Sequence, residues 1–211
     1  MPSRLPHRSC AANYATFAVA VALGALCIVL FYLSHFFNVL NIEQLALRAD
    51  AITNGRYYQL VTAHFIHTNS WHLLLNMGGL AITYLLFYEH LRLVRTLFAI
   101  AFCTVGLSIC LLAFTDITWY AGLSGTLHGL FTFALVFDLQ SRRVSSYALA
   151  GIGLAKLFYE QMGGSTADTA ALIDVNVAVD GHLYGAICGF IAGLIISASV
   201  SIQTNQFNRR K

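Results

Sequence analysis

Charge is what this chain has least of. Lys, Arg, Asp and Glu make up 10% of its 211 residues, while 58% are hydrophobic; a soluble domain carries about 25% charged residues. A water-soluble globule is excluded, and the chain reads as an all-α integral membrane protein. Proline is nearly absent, with 2 residues against 16 glycines, which suits long helices packed closely in a bilayer. The 5 cysteines include no C-x-x-C pair. Cys27, Cys103, Cys110 and Cys188 lie inside apolar stretches and Cys10 just before the first. They read as small buried hydrophobes, not as a disulfide framework or a metal site. No H-E-x-x-H occurs, so the common zinc-protease signature is missing. The net charge of +3 is scattered over short loops, so no nucleic-acid surface is expected, and neither is a metal or cofactor.

What is there is a series of apolar runs, at 14–37, 71–89, 93–113, 123–139, 144–162 and 178–202. Each approaches the roughly 20 residues a helix needs to cross the hydrocarbon core. The first has basic flanks, Arg4 and Arg8, but is too long for a signal peptide core and reads as retained. Placing the N-terminus in the cytoplasm puts Arg4 and Arg8, Arg92 and Arg95, Arg142 and Arg143, and Arg209, Arg210 and Lys211 inside. The outer loops then hold Arg48 and Arg56 with the acids Asp116, Asp168, Asp174 and Asp180, while Lys156 falls within the fifth run. Positively charged residues favour the cytoplasmic side, so both termini are expected there, as tails over 1–13 and 203–211. The longest connection runs from Asn38 to Ser70; its NIEQLALRAD stretch, Asn41 to Asp50, is mildly amphipathic and reads as interfacial. The segment from Gly163 to Val177 reads as a mobile outer loop that gates substrate access.

On this topology the outer ends of three runs carry the unusual polar residues. Run 2 opens with His67-Thr-Asn-Ser-Trp-His72-Leu-Leu-Leu-Asn76, run 4 with Gly122-Leu123-Ser124-Gly125 and then His128, and run 6 with Asp180-Gly181-His182 and then Gly185 and Gly189. His72 and Asn76, and likewise Ser124 and His128, are four apart and share a helix face. A serine hydroxyl becomes a useful nucleophile only when a positioned base takes its proton, and His182 is the candidate base for Ser124. A tetrahedral intermediate needs hydrogen-bond donors for its oxyanion; His72, Asn76 and the backbone N–H groups at the helix start near Ser124 can supply them. Gly125, Gly129, Gly185 and Gly189 offer smooth faces through which runs 4 and 6 can approach.

The other polar residues have plainer readings. Asp180 lies two residues before His182, on the wrong helical face to orient it, so no carboxylate is expected to complete a triad. His67 is expected to tie down the long first loop by a hydrogen bond. His35 and His64 read as interfacial or loop-facing, and His90 as a residue of the cytoplasmic end. Asn69 and Ser70 suit helix capping, and Tyr57, Tyr58 and Trp71 an aromatic interface belt. His128 is expected to pack on the imidazole of His182 or bond to it, with a buried histidine held by a backbone carbonyl as the alternative.

The three motifs in order, H-x(4)-H-x(3)-N, G-x-S-G and H-x-x-G-x-x-x-G, resemble those of the rhomboid intramembrane serine proteases. The resemblance implies one six-helix rhomboid-like membrane domain over 1–211. It also implies a Ser124–His182 dyad and an oxyanion site lined by His72 and Asn76, with Gly122 close by. Within that family Gly122-Leu-Ser-Gly-Thr-Leu-His128-Gly129, Asn54-Gly55 and the run-2 motif are most similar to rhombosortases. That implies a bacterial inner-membrane enzyme with its site open to the periplasm. Its substrates would be exported proteins anchored by a C-terminal tail of Gly-Gly motif, transmembrane segment and basic cluster. The acyl-enzyme would pass to water or to an amine acceptor. Two positions depart from the common rhomboid pattern. Tyr58-Gln59 stands where many rhomboids have Trp-Arg, which leaves open how the first loop is anchored. His128 stands where many have Tyr, which is the feature pointing to rhombosortases.

Other function classes have weaker support. A general rhomboid protease acting on other single-pass membrane proteins shares every motif above. A b-type cytochrome would need two histidines facing each other across a haem, for which His128 and His182 are the candidates. An inactive relative that only escorts membrane clients is disfavoured by the intact Ser124 and His182.

Overall fold

Ten α-helices make up the fold of the computed structural model, which describes the backbone of residues 10–209 and the side chains of residues 17–199. The basic flank at Arg4 and Arg8 and the last two residues, Arg210 and Lys211, lie outside the described residues, as do residues 1–9 of the expected N-terminal tail. The long helices are α1 (Cys10–His35), α5 (Ser70–Phe87), α6 (Leu93–Phe114), α7 (Ser124–Leu139), α8 (Val144–Gln161) and α10 (Val179–Arg209). They match the six apolar runs to within a few residues, except that α10 continues as helix through the segment expected to be a C-terminal tail.

Among the described residues, four helices are long and apolar enough to cross a membrane: α1, α5, α6 and α10. The other two long helices fall short for different reasons. Helix α7 is apolar but only 16 residues long. Helix α8 carries Lys156 and Glu160 in its last turns, and a single residue of it, Ser146, is buried.

Helix α7 is the centre of the bundle. It buries residues on every side, from Gly125 and Leu127 to Phe133 and Val136, and packs against α10, α6, α5 and α8. A helix apolar all round belongs in a core, not at a surface. Its closest neighbour is α10, and glycine makes that approach feasible. A Cβ on Gly185 would land on the carbonyl of Gly125, and one on Gly189 on the carbonyl of Gly129. At these glycines the backbones of α7 and α10 lie too close for any larger side chain.

The stretch from Asn41 to Asp50 is not one continuous helix. It breaks into α2 (Ile42–Leu45) and α3 (Ala49–Thr53), because Leu47 between them turns inward and exchanges both backbone hydrogen bonds with Tyr120. The anchor left open at Tyr58-Gln59 is now visible in α4 (Gln59–Thr62). Gln59 is fully buried; its amide donates to the Gln44 carbonyl at 3.0 Å and its oxygen accepts from the Arg48 N–H at 3.1 Å. Thr62 adds a bond to the Leu45 carbonyl. A neutral amide with both ends satisfied costs far less to bury than an unpaired charge.

His64 is also placed differently. It is fully buried, in a short 3-10 turn over Ala63–Phe65, with one ring nitrogen 2.9 Å from Ser108 Oγ and the other 3.0 Å from Thr126 Oγ1. It thus joins the first loop to α6 and α7, and burial pushes its pKa down to about 4. His35 bonds to the Thr68 carbonyl at 2.8 Å and so ties α1 to the start of α5. His90, beyond the end of α5, pairs with Asp138 of α7 at 3.1 Å. Tyr57, Tyr58 and Trp71 are exposed.

Candidate active site

The N-terminal ends of α5, α7 and α10 converge, and the polar residues that open the three runs meet there. Ser124 is the first residue of α7, and His182 lies in the first turn of α10. His182 Nε2 is 3.0 Å from Ser124 Oγ. Small residues make this distance attainable: Gly125 beside the serine faces the carbonyl of Gly181, the residue before the histidine.

The other nitrogen of His182 has a partner that the sequence reading missed. Nδ1 lies 3.0 Å from Oε2 of Glu160, near the C-terminal end of α8. The second carboxylate oxygen accepts from Lys156 Nζ at 2.7 Å. The expectation that no carboxylate reaches the histidine is therefore corrected. Its dismissal of Asp180 stands on geometry, since Asp180 faces Gln161 instead. The missed signal was a Lys–Glu pair four residues apart in an apolar run, because ionisable groups at such depth are functional candidates by default. A carboxylate only accepts hydrogen bonds, so His182 carries its proton on Nδ1 and presents a bare Nε2 to the serine hydroxyl. That is the tautomer a general base needs.

His128 lies one turn below Ser124. Its ring stacks on that of His182, with centroids 4.2 Å apart and planes 17° from parallel. Its Nδ1 donates to the Ser124 carbonyl at 2.8 Å. The expected packing and the carbonyl-bonded alternative thus hold together, whereas a hydrogen bond to His182 is not made. The stack bears on two other chemistries. Two rings at this spacing leave no room for a haem between them, which removes the cytochrome reading. Ligand atoms of His128, Glu160 and His182 also lie within 4.8 Å of one another. The near-parallel rings keep their in-plane lone pairs from converging on one ion, and Nδ1 of each is already committed.

Donors for an oxyanion surround Gly122. Its φ is +114°, a conformation open to glycine, and its N–H is held by the Ala63 carbonyl. A Cβ there would collide with His72 Nε2 and approach Asn76 Nδ2 at 3.7 Å. Both side chains thus point at the backbone just before Ser124. Asn76 donates one amide proton to the His72 carbonyl and retains the other. His72 Nδ1 lies 3.0 Å from Thr68 Oγ1 and 3.4 Å from the Thr68 backbone nitrogen, and Nε2 is the ring atom that faces Gly122. No side chain caps α7, so its first N–H groups also point outward without a helical partner. Asn69 does cap α5, accepting from the His72 N–H at 2.9 Å.

His67 departs from its expected role. It is buried, neither ring nitrogen makes a hydrogen bond, and the ring packs edge-on against His72. It supports His72 by contact and does not tie the loop. Burial, with His72 beside it, pushes its pKa down to about 3.

The segment expected to be a mobile outer loop contains α9 (Ala167–Ile173). Thr68 Oγ1 donates to the Ile173 carbonyl, and Asn69 Nδ2 to the Leu172 carbonyl and Asp174 Oδ2. The helix is thereby latched to the residues that lead into α5. A cleft beside Ser124 runs between this latch and the bundle, lined by His72, Trp119, Tyr120, Ile173 and residues 175–178.

A half-buried serine, a histidine held by a carboxylate and a set of hydrogen-bond donors meeting at one point are the parts that acyl-transfer chemistry needs. A sequence model of the rhomboid domain matches residues 54–199, well over half of the chain. The chain belongs to the rhomboid family. It is therefore an intramembrane serine protease and a multi-pass membrane protein. No curated protein matches the chain.

Proposed function

We propose that this rhomboid protease is of the rhombosortase type. It cleaves the C-terminal transmembrane tail of exported, membrane-anchored proteins near a Gly-Gly motif, and passes the acyl group to water or to an amine acceptor. Ser124 is the nucleophile, His182 the base, and His72, Asn76 and the first N–H groups of α7 hold the oxyanion. The observation that carries the chemistry is the 3.0 Å contact between Ser124 Oγ and His182 Nε2 at the junction of three helix ends.

The subfamily reading is supported by the Gly122–Gly129 stretch, by Asn54-Gly55 and the His67–Asn76 motif, and by His128 in place of tyrosine. A second imidazole beside the base can receive a proton from an incoming amine, which suits transfer as well as hydrolysis. In this reading the chain spans the bacterial inner membrane six times, with both termini cytoplasmic. A helix of 16 residues rises about 24 Å, short of the roughly 30 Å hydrocarbon core. Ser124 then sits below the periplasmic surface, reached by water through the cleft beneath α9.

The test is mass spectrometry of a candidate client's new C-terminus in cells with and without this protein. The reading predicts a shortened client that ends near the Gly-Gly motif, as a free acid or an amide, only when the protein is present. An intact client tail in both strains contradicts it.

A further inference from the structure

We propose that Glu160 is the positioning residue for the base and that Lys156 fixes which way it acts, so that the site works as a chain Lys156–Glu160–His182–Ser124. The proposal rests on the serine-protease reading above. Three contacts carry it: Lys156 Nζ to Glu160 Oε1 at 2.7 Å, Glu160 Oε2 to His182 Nδ1 at 3.0 Å, and His182 Nε2 to Ser124 Oγ at 3.0 Å. The His182 and Glu160 side chains are 8% and 10% exposed, so water competes little for the contact between them. Lys156 is 47% exposed, so its pair with Glu160 adds little stability by itself. Its consequence is directional.

In the reaction Ser124 Oγ forms a bond to the scissile carbonyl carbon while its proton moves to His182 Nε2. As the carbon–nitrogen bond breaks, that proton passes to the leaving amine. Glu160 neither takes nor gives a proton; it holds Nδ1–H throughout and faces the imidazolium while it exists. Without such a partner the ring is free to carry its proton on Nε2, where it cannot accept from serine. The stack on His128 fixes the ring plane but leaves the tautomer open, so the carboxylate supplies what stacking does not.

Lys156 makes the proposal sharp. In Glu160→Gln the amide has one oxygen and one NH2 group. Lysine only donates, so it claims the oxygen and turns the NH2 toward His182 Nδ1. That enforces the wrong tautomer in a side chain of almost unchanged shape. Removing the lysine as well frees the amide to turn its oxygen to Nδ1. A residue needed only for packing would show the opposite order, with Gln harmless.

The experiment uses full-length protein in nanodiscs, labelled with 15N-histidine and probed with a fluorophosphonate that reacts with an activated serine irrespective of client. The His182 signal is assigned by its loss in His182→Ala, and thermal unfolding checks that each variant is folded. The expected result is an Nδ1–H tautomer at His182 in the wild type and Nε2–H in Glu160→Gln. Labelling in Glu160→Gln should fall by about 10²–10⁴-fold, the upper figure being what the matching change costs in a soluble triad. Glu160→Ala falls less, and Lys156→Met/Glu160→Gln recovers part of the loss. Wild-type labelling by Glu160→Gln, or an unchanged His182 tautomer, overturns the proposal. Failure of the wild type to label at all overturns the serine-protease reading instead, while the tautomer still reports on Glu160.

Discussion

Gly185→Ala tests how far the chemistry depends on helix packing. Gly185 is three residues after His182, and the backbone it faces is that of Gly125, next to Ser124. A methyl group there meets the Gly125 carbonyl oxygen, its carbon and its Cα. These are backbone atoms inside the central helix, so no rotamer change relieves the clash. Non-bonded atoms settle at about 3.5–4.0 Å, and α10 must therefore withdraw from α7 by on the order of 1 Å. Overpacking of this kind costs about 1–3 kcal/mol of stability. The displacement also opens the 3.0 Å gap between His182 Nε2 and Ser124 Oγ. A misplacement of about 1 Å costs roughly 10²-fold in rate. The assay is cleavage of a reconstituted transmembrane client in liposomes, with thermal unfolding of the same preparation. Gly185→Ala is expected to melt lower and to lose most turnover while still inserting. Wild-type rate and melting temperature would refute the claim that this glycine contact sets the nucleophile–base distance.

Other perturbations separate the roles of single residues. Asn76→Ala removes one oxyanion donor and should lower kcat by about 10²–10³-fold with little change in KM; a loss confined to KM would assign Asn76 to substrate recognition. His64 is held neutral by burial, at a pKa of about 4 against 6.5 unfolded. Below pH 6.5 the unfolded chain binds the proton first, so stability is full above that pH and falls as pH drops toward 4, by about 3 kcal/mol at 1.36 kcal/mol per unit. Thermal unfolding of His64→Gln should show a flatter slope over that range, and an unchanged slope would count against the assignment. His128→Tyr should keep acylation but shift the client's new C-terminus from amide to free acid; an unchanged product ratio at normal rate removes His128 from the choice of acceptor.

The parts of the site that the sequence exposes are those where one helix start carries several functional groups. His72 and Asn76 are one turn apart, as are Ser124 and His128, and spacing alone puts each pair on a face. Gly125, Gly129, Gly185 and Gly189 were legible because their four-residue repeat has few uses besides close packing. Glu160 was not, since it lies 22 residues before His182 and on another helix. Only the packing of α8 beside α10 brings the two together. His64 and Gln59 look like loop residues in sequence, and their burial arises from partners on α6, α7 and the first loop that no local pattern encodes. Seven residues have little helical stability by themselves, so no local pattern marks α9; its order comes from Thr68 and Asn69.

The central claim is that Ser124 and His182 act as one unit on a membrane-anchored client. Its most direct measurement is client cleavage by Ser124→Ala, His182→Ala and the double variant, each purified, folded and reconstituted at equal amounts. Residues acting together are not additive, so all three should lose activity to the same residual level. Undiminished cleavage by Ser124→Ala, or a double variant much worse than either single one, would contradict the account.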